Sequence, residues 1–218
     1  MRFQSAFLFL FFALLPSFAS AAGPGASYFE GVLHTLLGLD HLIAMIAVGL
    51  ISSQIGRRAI WQVPFIFVLT LVIGGAVGLT LAEGALRRWL LSSSESVIML
   101  SDLILVLGVI WVSPRRQDFY AFSLLGLFVI VFGLFHGFAH GGEIPPEAAP
   151  LFYVLGFATT STLMHIFGVI LGEVGRSFPQ PRVARALVAA TLLGISIPYQ
   201  VNFWNSLMPD FLVVIFGF

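Results

Sequence analysis

The sequence contains no cysteine and no lysine, and only 9% of its 218 residues are charged. The absence of cysteine excludes disulfide bonds, thiolate metal ligands and a thiol nucleophile. Ten arginines balance ten acidic residues, and a zero net charge argues against a nucleic-acid partner. A soluble domain carries roughly 25% charged residues, so a charged fraction this low indicates a membrane protein.

Apolar residues are abundant instead. They make up 59% of the chain, and the mean hydropathy is +1.03. A membrane-spanning helix needs about 20 mostly apolar residues. Six predicted spans are Tyr28–Ser53, Ile60–Glu83, Ser96–Ser113, Phe119–Phe138, Pro150–Glu173 and Arg185–Trp204. We therefore predict an all-α integral membrane protein, a bundle of six transmembrane helices whose loops are too short to hold a soluble domain.

The first 21 residues predict a secretory signal peptide. Arg2 supplies a positive start, Ala6–Leu15 is an apolar core, and Ala19-Ser20-Ala21 offers a cleavage site. The apolar run is shorter than a span requires. We predict that residues 1–21 are removed, with an uncleaved anchor as the alternative, and that residues 22–218 form a single six-helix transmembrane domain. The new N-terminus then lies outside the cytoplasm.

The distribution of arginine predicts the same orientation. With an outside N-terminus, the cytoplasmic loops and membrane edge carry Arg57, Arg58, Arg115, Arg116, Arg176, Arg182 and Arg185. The outside loops carry only Arg87 and Arg88. Cytoplasmic loops of membrane proteins are enriched in basic residues. The sequence therefore predicts a multi-pass membrane protein whose mature N-terminus lies outside the cytoplasm.

Three pairs of glycines are spaced four residues apart within the predicted spans, at Gly74/Gly78, Gly133/Gly137 and Gly168/Gly172. Small residues at this spacing let membrane helices approach closely. Close approach can bring side chains of different spans together, which matters for the histidines.

All five histidines lie inside strongly apolar segments, where a polar group is costly unless it pairs or lines a wet path. His34 and His41 share a helix face but lie about 10 Å apart along a straight helix. One ion cannot bind both at that distance, because histidine–metal bonds are about 2 Å. Either Gly38 permits a local break, or the two histidines are successive positions on a path. Asp40 is a candidate ligand or a partner that orients an imidazole; an Asp–His pair that serves packing is the alternative.

A second histidine pair lies at the outer end of the fourth predicted span. His136 and His140 are four residues apart, so they share a helix face at a spacing suited to one metal ion. The residue after His136 is glycine, so the glutamate of a zinc-protease helix is missing. Glu143 and Glu147 follow in the next loop, where we expect simple solvated charges.

His165 stands alone, about 22 Å into the fifth predicted span and somewhat past its midplane. A buried lone histidine is either an interhelical hydrogen bonder or a ligand, and the sequence leaves both open. Asp102 and Glu83 lie nearer predicted span ends, where water reaches them, and we expect both to be structural. Neutral imidazoles and a carboxylate suit a borderline transition metal. The candidate metal-binding residues are His34, Asp40, His41, His136, His140 and His165.

These motifs together resemble the HupE/UreJ family of nickel permeases. His34-x5-Asp40-His41-Leu-x-Ala-Met is followed by Phe135-His136-Gly-x-x-His140-Gly, and the likeness extends over nearly the whole chain after the signal peptide. Members usually have proline where this chain has Thr35, which puts the local helix geometry at His34 in doubt. The resemblance implies a permease and not an enzyme. It also implies uptake of Ni²⁺, sometimes Co²⁺, as substrate for hydrogenase or urease maturation, with no tightly bound cofactor.

Two other functions remain open from the residues alone. A membrane-embedded metal-dependent hydrolase would bind Zn²⁺ with the histidines and use Asp40 or Glu143 as the base, although no base motif is evident. A haem- or metal-binding membrane subunit would use the histidines as axial ligands. The expected partners are a divalent metal ion and the lipid bilayer, and the sequence leaves a homo-oligomer open.

The orientation is testable with a reporter that is active only outside the cytoplasm. Inserted between Glu143 and Ala148, the reporter should be active, because this loop is predicted to lie outside. Inserted between Arg57 and Trp61, it should be silent. The reverse pattern would contradict both the signal peptide and the arginine argument.

Overall fold

In a computed structural model of the protein, the described residues are 23–56, 58–81, 83–112 and 119–216, and nearly all of them are helical. The helices are α1 (Pro24–Leu37), α2 (Leu39–Ile55), α3 (Ala59–Thr80), α4 (Ala85–Trp111), α5 (Phe119–Gly142), α6 (Pro150–Arg176) and α7 (Pro181–Phe216). Within this part of the chain there is no strand, which confirms the all-α fold. The predicted signal peptide, residues 1–21, lies outside the described residues.

The first predicted span is the main departure from the sequence prediction. The helices α3 to α7 are each long and apolar enough to cross a membrane. The pair α1 and α2 passes the same test only when taken together, and the pair is bent by 77°. The predicted span Tyr28–Ser53 is therefore divided between two helices that meet at Gly38, one of the two arrangements that the sequence left open. The described chain has five candidate spans, or six when the bent pair is counted as one.

The helix α4 begins at Ala85 rather than at the predicted Ser96, and α7 continues to Phe216 rather than ending near Trp204. The start of α4 was missed because its first turns carry arginines and serines. One of these arginines, Arg87, forms an ion pair with Glu83 at 2.9 Å. The longer α4 also changes the position of Asp102, which is 1% exposed. The expectation that water reaches Asp102 at a span end was wrong.

Glycines bring the helices into close contact, as predicted. A Cβ on Gly137 of α5 would collide with the carbonyl oxygen of Leu71 on α3. A Cβ on Gly168 of α6 would collide with the carbonyl oxygen of Ile46 on α2. Because apolar burial gives little drive between helices in lipid, such backbone contacts contribute strongly to membrane packing.

The helix α2 lies at the centre of the bundle. Most of its residues are buried, including Met45, Val48 and Leu50, and α2 contacts α3, α4 and α6. The carbonyl oxygen of Ser53, in its last turn, accepts a hydrogen bond of 2.9 Å from Arg176 of α6. The first half of the bent pair, α1, packs on α6. Near the beginning of α2, Asp40 and His41 are buried as well, whereas Leu39 is exposed.

The contact between α3 and α5 predicts the effect of adding a methyl group. Gly137→Ala should destabilise the protein by about 1–3 kcal/mol, because the new Cβ overpacks the contact with Leu71. Gly126→Ala is a matched control on the same helix, since a Cβ there meets no atom within 4 Å. Thermal denaturation of both variants in detergent measures the difference. Equal melting temperatures would contradict this account of the packing.

Candidate metal site

The break between α1 and α2 brings two histidines together. Gly38 at the break has an extended backbone, with φ −77° and ψ 109°. As a result the Nε2 atoms of His34 and His41 lie 3.4 Å apart, whereas a straight helix would hold the residues about 10 Å apart. Of the two arrangements that the sequence left open, the structure has the local break at Gly38.

Gly38 also leaves space beside the second histidine. A Cβ at this position would lie 2.7 Å from the Cδ2 atom of His41 and 3.1 Å from the Oδ1 atom of Asp40. At His34, where the missing proline left the geometry open, the helix is regular, and the Thr35 hydroxyl donates to the carbonyl oxygen of Gly31 at 3.0 Å. The bend therefore lies at the glycine and not at the first histidine.

A third histidine reaches the same point from α5. The Nδ1 atom of His140 lies 3.0 Å from the Nε2 atom of His34, and one ring nitrogen from each of the three histidines lies within 4.8 Å of the others. Around one ion with bonds of about 2.1 Å, neighbouring donor atoms are about 3.0 Å apart in an octahedron and about 3.4 Å apart in a tetrahedron. Two of the three nitrogen pairs, at 3.0 and 3.4 Å, therefore have the spacing expected around a single metal ion. We call His34, His41 and His140 the outer group.

Asp40 is placed to orient one member of the outer group. Its Oδ1 atom lies 3.2 Å from the Nδ1 atom of His41, which is the ring nitrogen opposite the one that faces His34. The two groups are not aligned for a full hydrogen bond, so the contact is mainly electrostatic. A carboxylate beside the second ring nitrogen favours the tautomer whose Nε2 atom is free to bind an ion. The position suits the orienting role rather than that of a direct ligand.

Glu143 lies at the outer group, and the expectation of a simple solvated loop charge was wrong. Its Oε2 atom is 3.2 Å from the Nδ1 atom of His140 and 3.8 Å from the Nε2 atom of His34. Because α5 continues to Gly142, Glu143 follows His140 by about one helical turn, and this spacing was the available signal. Burial raises the pKa of the Glu143 carboxyl, while the nearby His34 lowers it. Glu147 is exposed, as expected.

His136 lies beside the outer group but outside the set of three nitrogens. Its ring centroid is 4.7 Å from that of His41 and 4.8 Å from that of His140. Its Nε2 atom is buried and has no hydrogen-bond partner among the described residues. The set of three nitrogens contains His140 but not His136, so the sharing of one ion by His136 and His140 stays a prediction.

His165 lies apart from the other four histidines. It is completely buried, and its Nδ1 atom is 2.6 Å from the carbonyl oxygen of Ser161 on the same helix. The hydrogen bond is therefore within α6. It is not the interhelical hydrogen bond that the sequence analysis considered. Its nearest ring neighbour on another helix is Phe67, with centroids 5.1 Å apart.

Exposure decreases from the acid at the surface to the last histidine. The side chain of Glu143 is 44% exposed and that of His34 is 31% exposed, whereas His136 is 1% and His165 is 0% exposed. An ion that enters beside Glu143 would meet the outer group first. The arrangement is accessible to solvent at Glu143 and His34 and buried at His136 and His165.

The comparisons with known proteins agree with the sequence motifs. A family model described as HupE / UreJ protein matches residues 8–197, which include every candidate metal-binding residue. Protein HupE of Rhizobium leguminosarum bv. viciae is 29% identical over 163 residues, covering 75% of this chain and 79% of that protein. No solved structure matches the chain.

Because Gly38 leaves space beside His41, adding a methyl group at this position should perturb the site without removing a ligand. Gly38→Ala should weaken Ni²⁺ binding by about tenfold, because the new methyl group displaces the ring of His41 and the carboxylate of Asp40. Gly194→Ala is the control, since no atom lies within 4 Å of a Cβ there. Calorimetric titration of the purified proteins with Ni²⁺ measures both affinities. Unchanged binding by Gly38→Ala would show that the position of His41 is unimportant.

Proposed function

The chain belongs to the HupE/UreJ family, and on that basis we propose that it is a permease that imports Ni²⁺, and also Co²⁺, across the bacterial inner membrane. The observation that carries the proposal is the convergence of His34, His41 and His140 at the exposed end of a membrane bundle. The ion is cargo in this proposal, and no tightly bound cofactor is needed. The imported metal would supply hydrogenase or urease maturation.

Capture begins at the surface in this proposal. The carboxylate of Glu143 attracts a hydrated cation, and the ring nitrogens of the outer group then replace water molecules. Each imidazole must bind as a neutral ligand, with its proton on the other nitrogen. For His41 that proton lies on Nδ1, where the Oδ1 atom of Asp40 is 3.2 Å away. Asp40 thus prepares the ring before the ion arrives.

Passage inward requires a further ligand, and His136 is suitably placed. Its ring contacts His41 and His140, and its Nε2 atom has no partner in the described residues. A transport path needs sites that bind an ion well enough to admit it and weakly enough to release it. A series of neutral imidazoles meets this requirement, because the ion exchanges one ligand at a time.

The membrane potential can drive this import. Moving one charge across a membrane is worth about 2.3 kcal/mol for each 100 mV, so a divalent ion gains about 4.6 kcal/mol. The sequence contains no nucleotide-binding motif. We therefore propose uptake as a secondary process that the inside-negative potential is sufficient to power.

The available space supports an ion rather than a larger substrate. The cavity beside His140, Tyr153 and Phe157 has a volume of about 10 Å³, which is close to the space of one water molecule. The rings of His41 and His140 are 4.1 Å apart between centroids, which leaves no room for a porphyrin between them. The ring spacing weighs against a haem held between these two histidines.

Removal of single ligands should reduce transport. We expect His34→Ala, His41→Ala, His136→Ala, His140→Ala and Asp40→Ala each to lower Ni²⁺ uptake into sealed proteoliposomes by about tenfold or more. Thr35→Val is the matched control in the first motif, because Thr35 bonds only to its own helix in the described contacts. Near-normal uptake by both His41→Ala and His136→Ala, at equal protein content, would contradict the proposed path.

The choice of metal is tested in the same vesicles by competition. Affinity alone would favour Cu²⁺ among divalent ions, so discrimination must come from the geometry of the outer group. We expect Co²⁺ to compete with Ni²⁺ more strongly than Zn²⁺ or Mn²⁺ does. Preferential uptake of Zn²⁺ would retain a metal permease but contradict nickel as its substrate.

A further inference from the structure

His165 has one ring nitrogen prepared to bind a ligand. Its Nδ1 atom lies 2.6 Å from the carbonyl oxygen of Ser161, and a carbonyl oxygen only accepts hydrogen bonds. The hydrogen is therefore on Nδ1, and the Nε2 atom carries a lone pair. That Nε2 atom is buried and has no hydrogen-bond partner in the described part of the chain.

Neighbouring hydroxyl groups do not satisfy this nitrogen. The hydroxyl of Ser161 donates to the carbonyl oxygen of Phe157 at 2.8 Å, and that of Thr160 donates to the carbonyl oxygen of Gly156 at 3.2 Å. A buried polar atom without a partner is unfavourable and calls for an explanation. A structural role explains the hydrogen bond at Nδ1, but it does not explain why the Nε2 atom is buried without a partner.

Phe67 links His165 to the path already described. The ring centroid of Phe67 is 6.0 Å from that of His136 and 5.1 Å from that of His165. The Nε2 atom of His136 is likewise buried and without a partner among the described residues. Two histidines that each have an unpartnered nitrogen therefore contact the same aromatic ring on α3.

The backbone at His165 is held firmly. A Cβ on Gly49 of α2 would collide with the carbonyl oxygen of His165. A Cβ on Gly168 of α6 would likewise collide with the carbonyl oxygen of Ile46 on α2. Close backbone contacts of this kind leave little freedom for the two helices to shift. The Nε2 atom of His165 is thus held in place by the α2–α6 contact.

We propose that the Nε2 atom of His165 is an inner binding position for the transported metal ion, which passes from His136 beside the ring of Phe67. This inference rests on the proposed function, because it concerns the same cargo. A single imidazole holds an ion more weakly than the outer group does. His165 therefore acts on the rate of transport and has little effect on the affinity measured at the exposed end.

The variant His165→Asn separates this role from a structural one. The amide nitrogen of asparagine replaces Nδ1 and keeps the hydrogen bond to Ser161, but nothing replaces Nε2. We expect Ni²⁺ uptake into proteoliposomes to fall about tenfold or more, with an unchanged melting temperature and unchanged Ni²⁺ affinity of the outer group. Thr162→Val is the control on the same helix, since its exposed hydroxyl donates to the carbonyl oxygen of Ala158 at 2.8 Å, and it should transport normally.

The outcomes distinguish the two proposals. Absence of Ni²⁺ uptake by the wild-type protein would contradict the proposed function itself. Wild-type uptake by His165→Asn would contradict only the inner binding position. Loss of uptake together with a lowered melting temperature of His165→Asn would also overturn it, in favour of a structural role.

A spectroscopic test does not depend on transport. The chain has no cysteine, so His165→Cys introduces its only thiol, and thiolate is a good ligand for late transition metals. Addition of Co²⁺ to the purified variant should produce a sulfur-to-metal charge-transfer band. Wild type and His165→Ser should lack the band. Binding of Co²⁺ to the variant without this band would contradict access of the metal to position 165.

Discussion

The break at Gly38 is the constraint on which the rest of the site depends. It converts two histidines that share a helix face into neighbours whose Nε2 atoms are 3.4 Å apart. In lipid such a break is costly unless the freed backbone groups find partners. Here the amide of Gly38 donates to the carbonyl oxygen of His34, and the carbonyl oxygen of Gly38 accepts from Leu42, each at 3.1 Å. The helix direction changes by 77° with both polar groups of the glycine satisfied.

Close helix packing then completes the site. Glycines on α3 and α5 place those backbones in contact, and α5 brings His136 and His140 to the beginning of α2. The imidazoles consequently contact one another in a poorly hydrated environment, and several of their nitrogens have no other partner among the described residues. The nitrogens that converge are the Nε2 atoms of His34 and His41 and the Nδ1 atom of His140. Under the proposed function, one metal ion binds these three atoms together.

Much of the site was predictable because its chemistry depends on residue type. A histidine within an apolar span is rare and expensive, so His34, His41, His136, His140 and His165 could be selected from the sequence alone. Glu143 was not selected, since a glutamate that follows a predicted span resembles a solvated loop charge. Its contact with His140 depends on the length of α5. Asp102 was misplaced for a similar reason, because the start of α4 lies at Ala85 rather than at Ser96.

The sequence by itself determined the helical membrane class, most of the spans and the chemical identity of the candidate ligands. These properties follow from local composition. The length of an apolar segment determines whether it can span a membrane, and imidazole ligands favour one class of metal ions. Only the tertiary structure decided that His34, His41 and His140 form one group, that Asp40 faces the second nitrogen of His41, and that His165 lies beyond Phe67. Such contacts join residues far apart in the chain, and they depend on a single bend and on helix separations that periodicity does not encode.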